Sequence, residues 1–135
     1  MAIDYGTKRV GLAVTDPLQI VASPLTTVVE SEALDFVKNY CATEDVETIV
    51  LGLPLNTSGE NTHATAPTLK FGNKLRNVIK GINLEFEDET FTSKLAVKAM
   101  IRGGMKKKDR RKKENIDKVS AAIILQSFLD NNISY

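Results

Sequence analysis

The sequence predicts an α/β fold with a five-stranded mixed sheet: an antiparallel three-strand meander, then parallel strands, with helices on both faces. Three observations predict it. Residues 2–29 read as three short apolar strands with brief connections, and from residue 32 onward helical and strand periods alternate. Residues 48–53 (TIVLGL) are a continuous apolar, largely β-branched run, the pattern of a strand covered on both sides.

The first strand is short and sets an acid, Asp4, between Ile3 and Tyr5. Val10, Leu12 and Val14 share one face of the second by the two-residue period. Gly6 and Thr7 between them suit a tight turn, glycine accepting the positive φ that hairpin turns use. Asp16-Pro17-Leu18 reads as the next turn. Residues 19–29 form a third strand through Ile20, Val21, Leu25, Val28 and Val29; Pro24 within it implies an edge position or the end of pairing.

Leu34, Val37, Tyr40 and Cys41 mark a helix over residues 32–42, with Ser31 as its expected N-cap. Pro54 ends the fourth strand. Residues 54–65 (PLNTSGENTHAT) read as a loop, in which His63 has no second His or Cys nearby and is expected to be solvated. A long helix should run from residue 65 or 66 to 80, its apolar members Leu69, Leu75, Val78 and Ile79, with Pro67 tolerated in its first turn and Gly81 closing it. Residues 82–87 alternate as a fifth strand. Thr92 or Ser93 should cap a helix reaching Ile101, Gly103-Gly104 should break it, and residues 116–129 make the last helix.

The chain has 135 residues, 42% of them hydrophobic and 26% charged, with net charge +1: one ordinary globular domain. Cys41 is the sole cysteine, so no internal disulfide forms, and a core thiol in a reducing compartment is expected. No apolar run reaches the roughly 20 residues of a membrane span, and no basic-then-apolar leader is evident.

Acids recur at matching points of this plan. A carboxylate on a half-buried sheet, as at Asp4, needs a donor, cation or metal. Pairing with Lys8 or Arg9, turn capping, and a metal or catalytic role all remain open. Asp88 and Glu89 follow the last strand. Parity sets Asp88 with Leu84 and Phe86, hence inward, and Glu89 with Glu85 and Glu87; parity weakens at a strand end, so both remain candidates. Asp117 opens the last helix, and Ala121, Ile124 and Phe128 follow it at spacings of four, three and four, on the buried stripe. A first-turn position there favours an ionised carboxylate, and a simple dipole partner is the alternative. Converging carboxylates without a His/Cys cluster specify oxygen ligation, hence Mg²⁺ or Mn²⁺. Such sites support in-line phosphodiester hydrolysis, with one metal activating water and a second, about 4 Å away, stabilising the leaving oxygen.

Residues 106–113 (KKKDRRKK) hold seven basic residues and one Asp. A mobile basic loop built from Lys106, Lys107, Lys108, Arg110, Arg111, Lys112 and Lys113, joined by Lys8 and Arg9, would bind a phosphate backbone. A solvated charged face is the alternative. Few aromatics are placed for base stacking.

Four motifs, IDYGTKRVGLAVTDPL (3–18), VLGLPLN (50–56), DETFTS (88–93) and IDKVSAAIILQSFLD (116–130), resemble the YqgF/RuvX family of Holliday-junction resolvases, also described as pre-16S rRNA nucleases. The resemblance covers essentially the whole chain. It implies a single RNase H-like nuclease domain over residues 1–135, a cytoplasmic location, Mg²⁺ or Mn²⁺ dependence, and maturation of the 5′ end of 16S rRNA. By position, the family's acids fall on Asp4, on Glu89 with Asp88 adjacent, and on Asp117. Thr90 stands where the family usually has arginine, which would weaken phosphate clamping. Asn56 is uncharged where the wider RNase H-like group often has an acid. Structured RNA is the expected partner, with branched DNA or a non-catalytic assembly role as alternatives, and the protein is expected as a monomer or weak homodimer.

Overall fold

In the computed structural model, which describes residues 1–89 and 92–132, the shortest strand holds the centre of the sheet. This is β1 (Ala2–Tyr5), flanked by β2 (Arg9–Thr15) and β4 (Thr48–Leu53). With β3 (Ala22–Val29) and β5 (Asn83–Asp88) outside them, the order is β3-β2-β1-β4-β5. β1 and β3 run antiparallel to β2, whereas β4 is parallel to β1 and β5 to β4, as the sequence predicts. Edge strand β3 slips by one residue opposite Leu12 and Ala13, next to Pro24. A bulge at an edge is where a residue without an N–H is tolerated.

The crossover helices α1 (Glu30–Thr43) and α2 (Thr65–Val78) cover one face. There Ile3, Val10, Leu12, Ile49 and Leu51 pack with Ala33, Val37, Phe71 and Leu75, all buried. α3 (Thr92–Arg102), the short α4 (Lys107–Arg110) and the long α5 (Lys113–Asn131) follow β5. α5 covers the other face, where Ala2, Ala13 and Val50 meet Ala121, Ile124 and Leu125. It is stitched across the sheet's whole width. Gln126 accepts the Ala22 N–H on β3 at 3.1 Å, and Ser127 and Asn131 both donate to Glu87 on β5 at 2.9 Å.

Several local expectations are corrected. α1 begins at Glu30 with Val29 as N-cap and no side-chain cap; Ser31 lies inside the helix. The buried stripe of α2 is Thr65, Thr68, Phe71, Gly72 and Leu75, while Leu69 and Val78 are exposed. Its threonines reach the interior by bonding backbone: Thr65 to the Pro54 carbonyl and Thr68 to that of Ala64, at 2.9 Å. Gly6 serves by close approach, since a Cβ there would stand 2.6 Å from the Arg9 carbonyl oxygen, and its φ is not positive. Gly104 does need its φ of 78°, ending α3 as Gly104 and Met105 donate to the carbonyls of Ile101 and Met100, each at 3.0 Å. The expected mobile basic loop is instead a helical turn, α4, leading straight into α5. Cys41 packs half-buried against the main core, and burial raises its thiol pKa, as for a core thiol. His63 is exposed.

Candidate active site

Parallel strands gather ligands at their carboxyl ends, and here those ends carry Asp4 on β1, Leu53 on β4 and Asp88 on β5. Ile3 and Tyr5 point into the α1/α2 core, so Asp4 and Ala2 point to the α5 face. At the end of β5, Leu84 and Phe86 pack toward α2, leaving Glu87 and Glu89 for the α5 face. Both faces are covered, so parity toward Leu84 and Phe86 does not select the site residue. Glu89 is the acid that reaches Asp4, its N–H anchored to the Leu53 carbonyl at 3.2 Å. Asp88 is exposed and acts on Glu89 through its charge.

Asp4 and Glu89 share a hydrogen bond in a largely desolvated place. Burial, the leading cause, pushes Asp4 up to about 6, opposed by the bond from Glu89 and assisted by the negative charge of Asp117. Burial likewise lifts Glu89 to about 10, with the Asp4 charge and their shared bond adding to it. The shared bond thus lowers Asp4 and raises Glu89, and Glu89 is shifted further than Asp4. An open depression of about 370 Å³ exposes it, walled by Pro54, Leu55 and the first turn of α3 (Thr92, Ser93, Lys94). Thr92 seals that turn, its hydroxyl donating to the Glu89 carbonyl at 2.7 Å.

Asp117 arrives from α5. The helix starts at Lys113, so Asp117 lies past the first turn and the dipole argument for it fails. Its counter-charge is Arg9, whose Nε donates to Oδ2 at 2.8 Å. Of the alternatives open for Asp4, pairing with Arg9 gives way to this contact, and Lys8 is exposed. Two glycines let α5 come this close. A Cβ on Gly11 would collide with the Asp117 carbonyl, and one on Gly52 would stand 2.6 Å from Ile124 Cδ1 and 3.0 Å from Glu89 Oε2. Among the described residues no three His, Cys, Asp or Glu side chains converge as they stand on one cation position. Two acids are joined, and the third is held beside them by arginine.

The RuvX family model, described as Holliday junction resolvase, matches residues 1–131. The chain belongs to the RuvX family. Its fold is accordingly RNase H-like. It is 51% identical over 131 residues to a protein of Amoebophilus asiaticus named "Putative pre-16S rRNA nuclease", covering 97% of this chain and 93% of that one. Proteins of the same name from Phocaeicola vulgatus and Flavobacterium johnsoniae are 49% and 40% identical, with 97% of this chain and 94% and 95% of theirs covered.

Lys106, Lys107, Lys108, Arg111, Lys112 and Lys113 are exposed, and Lys112 pairs with Asp109 at 3.5 Å. Arg110 is half-buried, its Nε enclosed without a hydrogen-bond partner among the described residues. Asn56 works locally, its side-chain oxygen accepting the Ser58 and Glu60 N–H groups at 2.9 Å. Thr90, the family departure, lies outside the described residues. The α3 turn beside the acids is a part of the site that sequence reasoning misses; Thr92 and Ser93, expected as its cap, lie inside the helix, and Thr92 instead donates to the Glu89 carbonyl three residues earlier.

Proposed function

We propose that the protein is a cytoplasmic, divalent-cation-dependent nuclease that hydrolyses phosphodiester bonds in the 5′ region of pre-16S rRNA. The observation that carries this reading is the half-buried, hydrogen-bonded Asp4–Glu89 pair at the carboxyl ends of the parallel strands. Two carboxyls hydrogen-bonded to one another mark a place where positive charge is wanted, and an all-oxygen donor set suits Mg²⁺ or Mn²⁺. Asp4, Glu89 and Asp117 are the proposed holders, with Asp88 at the rim. When bound, one or two such cations supply a Lewis acid and an activated water.

The chain's own part is positional. Asp4 sits on the sheet's central strand, and Glu89 is tied to β4 through its backbone, so their separation is set by rigid elements. The α3 turn closes one side of the depression, and the exposed lysines and arginines of residues 106–113 offer phosphate contacts that fix the strand's register. In the reaction, a water oxygen bonds to phosphorus, the bond to the leaving ribose oxygen breaks, and that oxygen takes up a proton. The names carried by the relatives favour RNA as substrate; the family description favours branched DNA as the second reading.

The test is cleavage of a 5′-extended small-subunit rRNA precursor with Mg²⁺ or Mn²⁺, beside a synthetic four-way DNA junction and the Asp4→Asn variant. The expected result is metal-dependent RNA cutting, faster than junction cutting and lost in Asp4→Asn. Faster cutting of the junction selects the second reading. Binding of both substrates without cutting would make the protein a non-catalytic assembly factor.

A further inference from the structure

Arg9 lies on the same face of β2 as Gly11 and Ala13, beside the point where the α5 backbone at Asp117 seats on Gly11. The Arg9 side chain is about one-third exposed, while the Asp117 side chain it holds is 22% exposed. The bond engages Nε at 2.8 Å, one of the five N–H donors of an arginine fork. Asp117 stands near enough for its charge to act on Asp4, yet it is satisfied by arginine and not by a shared cation position.

We propose that Arg9 is a positioning residue that holds Asp117 in reserve, surrendering it to the divalent cation when a substrate phosphate takes over the guanidinium. This rests on the metal-site reading above. The physical basis is competition. An Asp117 carboxylate bonded to a fixed cationic donor is a poorer ligand than a free one, so the arginine opposes loading in the absence of substrate. A phosphate offers the same fork an alternative anion of matching geometry. Substrate and cation then bind with positive coupling, and by reciprocity each tightens the other. A half-exposed arginine is suited to this, because its partner can change without opening the core.

The experiment measures Mn²⁺ binding by calorimetry, without turnover, in wild type, Arg9→Gln, Asp117→Asn, the double variant and Asp4→Asn. Arg9→Gln should bind Mn²⁺ more tightly than wild type, on the order of five-fold or more, the lower range of ordinary coupling between sites. That gain should vanish in the Asp117→Asn background, because the arginine acts through that carboxylate. Adding an uncleavable phosphorothioate RNA should tighten Mn²⁺ binding to wild type and leave Arg9→Gln little changed. Unchanged or weaker Mn²⁺ binding by Arg9→Gln, or a gain that survives Asp117→Asn, overturns the proposal. Should Arg9→Gln not fold, Arg9→Lys keeps the charge but loses the fork; it should gain less, and no gain also overturns the proposal. Wild type and Asp4→Asn separate the two levels. If they bind Mn²⁺ equally, the metal site itself is misplaced and the latch falls with it; if Asp4 matters and Arg9 does not, the latch alone fails.

Discussion

On one face of the sheet, Ile3, Val10, Leu12, Ile49 and Leu51 meet the buried side chains of α1 and α2; on the other, Ala2, Asp4, Gly11, Ala13 and Gly52 lie under α5. Large branched residues fill the first interface. Small ones draw the helix down in the second, until a methyl group on Gly11 has no room. The second face buries mostly smaller apolar side chains and sets two half-buried carboxyls beside them. Stability is concentrated on the first face and the site chemistry on the second. The two faces should therefore fail in opposite ways.

Removing volume should hurt the first face most. Leu51→Ala deletes a fully buried side chain and should cost roughly 2–5 kcal/mol in urea unfolding. Adding volume should hurt the second: Gly11→Ala should cost roughly 1–3 kcal/mol by overpacking, and it should also shift Asp117. The discriminating measurement is Mn²⁺ affinity of the folded variants. Leu51→Ala should retain it and Gly11→Ala should lose it. Equal losses would mean that the two faces are not separable.

The asymmetry is partly legible in the sequence. Strand directions, the covered run at residues 48–53 and the faces on which Asp4 and Asp117 lie follow from periods of two and 3.6, and the edge position of β3 from its proline. What periodicity misses is long-range or polar. Thr65 and Thr68 are buried because nearby carbonyls take up their hydroxyls, a pairing an apolar count overlooks. Arg9 finds Asp117 at a separation of 108 residues. Parity puts Asp88 and Glu89 on opposite faces, but only the fold shows that α5 lies over the site face. The basic segment reads as a loop because its charges mask the helical turn that Lys106–Arg110 backbone bonds create.

The acid pair sharpens the comparison at smaller amplitude. Both carboxyls have folded pKa values above their ordinary ones, so folding takes up protons, and stability falls as pH rises. The Asp4 contribution is fully present below about pH 3.8 and is lost through about 6; that of Glu89 is lost over a wider range, from about 4.5 toward about 10. Asp4→Asn removes one buried charge and the neighbour that helps to raise Glu89. It should be more stable than wild type at pH 7, by on the order of 1 kcal/mol, while matching it near pH 3.5. Denaturant midpoints from pH 3.5 to 9 check this. A constant offset across that range would remove the pair's charge as the source of the difference.

The smallest stability effect should come from the basic segment, where the largest effect on RNA binding is expected. Lys106, Lys107 and Lys108 are exposed, so changing all three to Gln should leave stability within about 0.5 kcal/mol. If they neutralise phosphates, the salt dependence of RNA binding should become shallower by roughly 0.7 for each single-strand phosphate left without its lysine. Arg110 is the internal contrast. Its side chain is half-buried with Nε enclosed, so Arg110→Gln loses packing and should lower stability as well as binding. A triple-lysine variant with an unchanged salt slope would reduce those lysines to a solvated face. An Arg110→Gln variant as stable as its parent would show that the turn's helical form does not depend on that side chain, leaving the backbone bonds to Lys106 and Lys107 to hold it.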